Sequence, residues 1–255
     1  MRMPQFIVTI AGLAIVFILL SLGMTVFAAP NIPDQLSAGT AQSRAINGAD
    51  KTATAYGSNV TQLTVVGLRV TRRWQGYYGN VSGIITLDDA NNWTMYDWSL
   101  GATEGEIYAA NASSVQWGTI RCINLSSTYR GHNCTGADEA CLNITEIESA
   151  YGISSGDTDG VDETFNNTLG SIRVGTTTIT NCPMVNLYTN DTTKSTYFWN
   201  ETMLTYNNTE TIIFTGVVND NSWGFNNVTW DFQMIVGDNG LDDSATNYYF
   251  YVELT

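Results

Sequence analysis

Residues 156–163, GDTDGVDE, gather Asp157, Asp159, Asp162 and Glu163 around Gly160. Hard carboxylate oxygens on a tight turn are the ligands calcium takes, and glycine lets a backbone wrap a cation closely. The spacing departs from that of an EF-hand loop, so the competing reading is an acidic turn in solvent. A second acidic turn, Asp238 to Asp243, is a weaker candidate of the same kind.

Other chemistries find less support. His132 is the only histidine, and although Cys134 lies beside it, zinc requires more soft ligands than this pair supplies. One histidine gives little basis for an activated nucleophile. Acid/base work by two carboxylates needs only proximity in space, and 24 Asp and Glu make chance pairs easy. Trp74, Tyr77, Tyr78, Trp93, Tyr96 and Trp98 have the faces to stack on sugar rings, but in strands such residues more often pack a core or a cross-strand neighbour. The sequence therefore supplies no catalytic residue, no cofactor-binding residue and no metal-ligand set, and it reads as a non-enzyme.

The modifiable residues are more informative. Asn-X-Ser/Thr with X not proline occurs twelve times, at Asn59, Asn80, Asn92, Asn111, Asn124, Asn133, Asn143, Asn166, Asn190, Asn200, Asn207 and Asn227. With 24 asparagines and about a fifth of the chain Ser or Thr, independent placement gives roughly five. The excess predicts N-linked glycans and hence an exported chain. Cys122, Cys134, Cys141 and Cys182 agree: they are even in number with no C-x-x-C pair, which in an exported chain reads as two disulfides of open connectivity.

Residues 6–27 carry no charge and, at about 1.5 Å per residue, reach ~33 Å, enough to cross a bilayer as a helix. Two readings compete for residues 1–29. Val26 and Ala28 fit the −3 and −1 positions of a signal peptide cut after Ala28; uncut, the stretch is an N-terminal membrane anchor. Either places the chain beyond Pro30 outside the membrane, since Arg2 favours the cytoplasmic side. Residues 30–60 are small and polar, with Pro30 and Pro33 opposing a continuous helix, and read as a flexible tether.

Residues 61–255 carry the alternation of strands and form the extracellular domain. Along 228–236, Val228, Trp230, Phe232, Met234 and Val236 take one face, and Thr229, Asp231 and Gln233 the other. Along 248–254, Tyr248, Phe250, Val252 and Leu254 oppose Tyr249, Tyr251 and Glu253. Further strands are expected at 63–71, 81–87, 93–100, 114–122, 176–180 and 210–218. Thr145 to Glu148 matches a capping box that Gly152 closes, one short helix within 122–182, a stretch read as an irregular, disulfide-pinned excursion. The fold class is an all-β sandwich, immunoglobulin-like or jelly-roll in type, because a sheet with one apolar face must cover it with another layer. Sequons such as Asn80, Asn92 and Asn227 sit where strands begin or end, so sugars would ring the rims and shield open edges.

Four stretches, WQGYYGNVSGIITLDDA (74–90), DGVDETFNNT (159–168), WDFQMIVGDNG (230–240) and SATNYYFYVELT (244–255), resemble a group of archaeal exported proteins with an N-terminal apolar segment and a sequon-rich β domain. The resemblance implies a cell-surface or secreted location in an archaeon and carries over no functional residue.

A net charge of -14 excludes nucleic acid, whose phosphates require a basic surface. The expected partners are the membrane, if the leader is uncut, other copies of the chain or other envelope proteins, and N-linked glycans. The favoured function is a non-enzymatic surface glycoprotein of the cell envelope, structural or adhesive. One alternative is a pilin-like filament subunit, although the residues before the apolar run are few for prepilin processing and the two prolines stop the helix early. A secreted carbohydrate-binding or carbohydrate-active module is the other.

Overall fold

The computed structural model describes residues 29–44, 52–123, 125, 144–190, 192–194, 198–206, 211–238 and 245–254. The apolar leader, His132, Cys134, Cys141, residues 239–243 of the second acidic turn and the sequons at Asn124, Asn133, Asn143 and Asn207 lie outside the described residues. No helix among the described residues is long and apolar enough to cross a membrane.

Strands in chain order are β1 (Trp74–Gly79), β2 (Ile84–Asp88), β3 (Thr94–Ser99), β4 (Glu104–Ala110), β5 (Ile120–Cys122), β6 (Asn167–Val174), β7 (Thr177–Asn186), β8 (Asn200–Tyr206), β9 (Ile213–Asn219), β10 (Ser222–Gly224), β11 (Val228–Trp230), β12 (Phe232–Gly237) and β13 (Tyr249–Leu254). Two helices, α1 (Ile144–Ala150) and α2 (Val161–Thr164), precede β6. The chain is thus an all-β, sandwich-like protein, built on an antiparallel seven-stranded sheet in the order β13-β4-β9-β8-β7-β6, with β5 paired to β8.

The central strands of this sheet are apolar on both faces. Ile107, Ala109, Met203 and Phe214 join one buried cluster, while their chain neighbours Tyr108, Ala110, Leu204 and Ile213 join a second. Successive side chains point to opposite sides, so consecutive burial means that both faces are covered. Over the first cluster lie the antiparallel pair β1–β12 and the helices, contributing Met234, Val236, Ile147, Val161 and Phe165. Phe214 is its hub, fully buried with ring centroids of Trp74, Tyr151, Phe165 and Tyr248 at 5.8–6.4 Å. The second cluster is bounded by β5, β6 and β7, where Cys122 and Cys182 form a disulfide.

Several sequence expectations are corrected. Residues 61–71 form no strand, because a strand needs a neighbour for its amides and carbonyls and no described strand pairs with them. In 114–122 a 3-10 turn at Trp117–Thr119 leaves only the three residues of β5 extended. The single strand expected at 228–236 breaks at Asp231, whose carboxylate turns inward to accept the amides of Val81 (2.8 Å) and Asn221 (2.9 Å). Gln233 is buried as well, accepting from the Phe225 amide and donating to the Tyr188 carbonyl. Within 122–182 the described residues include β6 and the start of β7, a hairpin that extends the large sheet, and two helices where one was expected. Strands β2, β3, β7 and β9 overlap 81–87, 93–100, 176–180 and 210–218 as expected.

The tether behaves differently at its two ends. Pro30 is buried and Asn31 exchanges both backbone hydrogen bonds with Val252, adding one residue to the outer edge of β13. Residues 34–44 and 52–60 are exposed and carry no helix or strand.

Candidate functional site

The acidic turn is placed by the end of α1. Gly152, with φ +61°, closes that helix as expected: the Ile153 amide donates to the Glu148 carbonyl and that of Gly152 to the Ser149 carbonyl. This orients the buried Glu148 toward α2, where its Oε1 accepts the Val161 amide at 3.2 Å. Carboxylate oxygens of Glu148, Asp162 and Glu163 lie within 4.8 Å of one another. A Cβ at Gly160 would run into those of Glu148 and Glu163, so glycine is what permits the approach. Burial pushes the Glu148 carboxyl up, and the side chain of Asp162 does the same to Glu163.

Of the four carboxylates named from the sequence, the structure brings Asp162 and Glu163 together. Asp157 points away to cap the Ser154 amide, and Asp159 receives the Thr71 hydroxyl, while its carbonyl accepts from Trp74 Nε1 at 2.8 Å. Glu148 takes their place, a residue whose position in the capping-box pattern masks its part in the cluster. Three carboxylates are a partial set for calcium, which takes roughly six to eight oxygens.

A second constellation carries no signal in residue spacing. Glu106 on β4 and Glu253 on β13 are direct cross-strand partners, followed by the pair Tyr108–Tyr251 on the same face. Glu253 is buried, and its Oε2 accepts both the Gly175 amide at 2.8 Å and the Tyr108 hydroxyl at 3.2 Å. Burial, then the neighbouring Glu253, pushes the Glu106 carboxyl up to about 7. Gly105, at φ +139°, is required beside the pair, since a Cβ there would overlap the Glu253 carbonyl oxygen. The alternation of YFYVEL does put Glu253 on one face with Tyr251, but only the pairing of β13 with β4 shows that face to be covered. A third carboxyl, Glu201 on β8, is fully buried and pushed well up by that burial, with one oxygen on the Ile235 amide at 2.7 Å.

The six aromatic candidates divide. Trp74 and Tyr77 belong to the core, Tyr77 meeting Phe250 edge-on at 5.5 Å. Tyr78 is partly exposed and packs on Phe225 and Trp230 at 4.8 and 4.9 Å. Trp93, Tyr96 and Trp98 are all exposed on the β2–β3 hairpin. The Tyr96 and Trp98 rings meet edge to face, 63° apart, and so do not form a coplanar stacking platform.

Eight of the twelve sequon asparagines are described, and none is in a core. Asn59, Asn80, Asn92, Asn111, Asn166 and Asn227 are exposed; Asn190 and Asn200 are half-buried. Asn80 and Asn111 directly follow β1 and β4, Asn166 precedes β6, and Asn92 and Asn227 occupy turns at φ +64° and +55°, a conformation asparagine tolerates. Asn190 Oδ1 accepts from the amide and hydroxyl of Thr192, the third residue of its own sequon. No protein-family model matches the chain, nor does any curated protein or solved structure.

Proposed function

We propose that the chain is a non-enzymatic glycoprotein of an archaeal cell surface, structural or adhesive, held outside the membrane as an anchored or secreted protein. The observation that carries this reading is the placement of the sequons. Eight described asparagines, spread from 59 to 227 in sequence, avoid both buried clusters and lie at strand ends, turns and the tether. Six of these eight are exposed, more than a sequence merely rich in Asn, Ser and Thr has reason to keep so. The Cys122–Cys182 disulfide supports the same location, because such bonds persist in oxidising surroundings.

The buried acidic groups support a non-enzymatic role. Glu253, Asp231, Glu201 and Glu148 each accept at least one backbone amide and so tie strands and helices together. The test is intact and peptide mass spectrometry of protein taken from its own cells. The expected result is sugar on several of the exposed sequons and Cys122 joined to Cys182. A bare chain with free thiols in the cytosolic fraction would overturn the reading.

A further inference from the structure

The hairpin β2–β3 is exposed at all eleven of its strand residues. Its register sets Ile85 opposite Trp98 and Leu87 opposite Tyr96, so four large apolar side chains share one face that nothing buries. Its base is fixed by the Leu100 amide on the Gly83 carbonyl, but beyond that it forms a separate two-stranded sheet with both edges open. Two strands are marginal in water; a third strand and an apolar face in common are what make such a sheet stable.

The chain also holds a segment with the composition of a strand that forms none. Residues 60–70, VTQLTVVGLRV, have strand composition yet pair with no described strand, and Val65 and Val66 are 84% and 91% exposed. Arm and hairpin are complementary in charge. Arg69, Arg72 and Arg73, three of the ten basic residues, lie at or just beyond the end of the arm, and the hairpin carries Asp88, Asp89 and Asp97. They leave β1 at opposite ends: the arm enters at Trp74, opposite Gly237, and the hairpin comes after Gly79, opposite Phe232. At about 3.3 Å per residue, β1 separates the two exits by roughly 17 Å. Sequons Asn80 and Asn92 mark the base and tip of the hairpin, outside its paired residues.

We propose that residues 60–70 of one copy add as a third strand to the β2–β3 hairpin of a second copy, extending the Ile85, Leu87, Tyr96, Trp98 face. The main chain supplies ladder hydrogen bonds and alternate side chains supply fit, as in other strand additions. Because donor and acceptor are different elements at opposite ends of β1, the contact is head-to-tail, and it repeats from copy to copy as a chain that stays open unless its rotation closes a ring. This deepens the envelope-structural reading and rests on it for location only.

The test is sedimentation velocity on the full chain over a concentration series. Wild type is expected to form a ladder of species beyond the dimer that weakens with added salt. An arm variant, Val65→Lys with Val66→Lys, and a hairpin variant, Tyr96→Lys with Trp98→Lys, are each expected to be monomeric; all four residues are exposed, so the fold is spared. Mixed together, the two variants retain one intact arm and one intact hairpin and are expected to give a dimer that grows no further. A disulfide between Val65→Cys and Leu87→Cys is expected to link two chains. Wild type that stays monomeric, a disulfide closing within one chain, or monomers that instead bind anionic lipid vesicles would each overturn the proposal. A glycosylated monomer would remove the assembly and leave export standing.

Discussion

Replacing Glu106, half-buried beside the buried Glu253, by glutamine removes one carboxylate from the pair while preserving its size. In the folded chain Glu106 keeps its proton up to about pH 7, whereas unfolding returns the group to its ordinary 4.5. Between these values the folded state binds more protons than the unfolded one, so stability falls as pH rises and the loss is complete above about 7. A window from 4.5 to about 7, at roughly 1.36 kcal/mol per pH decade, amounts to about 3 kcal/mol. That is a sizeable share of the roughly 5–15 kcal/mol that holds a domain folded. Urea denaturation of wild type and Glu106→Gln at pH 4.5 and at pH 8 measures it. The two are expected to be similar at the lower pH, with the variant more stable by about 3 kcal/mol at the higher. Glu148, Glu163 and Glu201 are also pushed up, but they are common to both proteins and cancel in the difference. Parallel pH profiles would refute the coupling of Glu106 to burial and to Glu253.

The other expectations concern the frame and its surface. Glu201→Gln keeps an acceptor for the Ile235 amide and removes the ionisation that burial opposes, so it should raise the thermal midpoint at pH 8 and change little at pH 4. Cys122→Ala with Cys182→Ala opens a loop of 60 residues, and chain entropy alone puts the loss at about 4 kcal/mol, read as a lower urea midpoint. Phe214→Ala empties the hub of the first cluster and should cost about 4 kcal/mol by the same measurement. Glycopeptide mass spectrometry should find Asn59, Asn80, Asn92, Asn111, Asn166 and Asn227 more fully occupied than Asn200, which is half-buried at the start of β8.

Composition and local pattern were enough for the class of fold and for much of its punctuation. Alternating apolar residues placed β2, β3, β7, β9 and β13, because the pleat is a property of the backbone and needs no partner to be recognised. Gly152 announced the end of α1, and sequons announced turns, for similarly local reasons. Only the tertiary structure decided which faces are buried. A large sheet covered on both sides brings Glu253 inside with Tyr251, and turns Asp231 and Gln233 from solvent toward backbone amides across the fold. Likewise Asp162 and Glu163 were legible together in the acidic turn, but their partner Glu148 comes from a helix, thirteen residues before Val161. Strand character in 60–70 was present in the sequence as well; whether a strand finds a neighbour depends on which edges the rest of the chain leaves open, a long-range fact that periodicity does not encode.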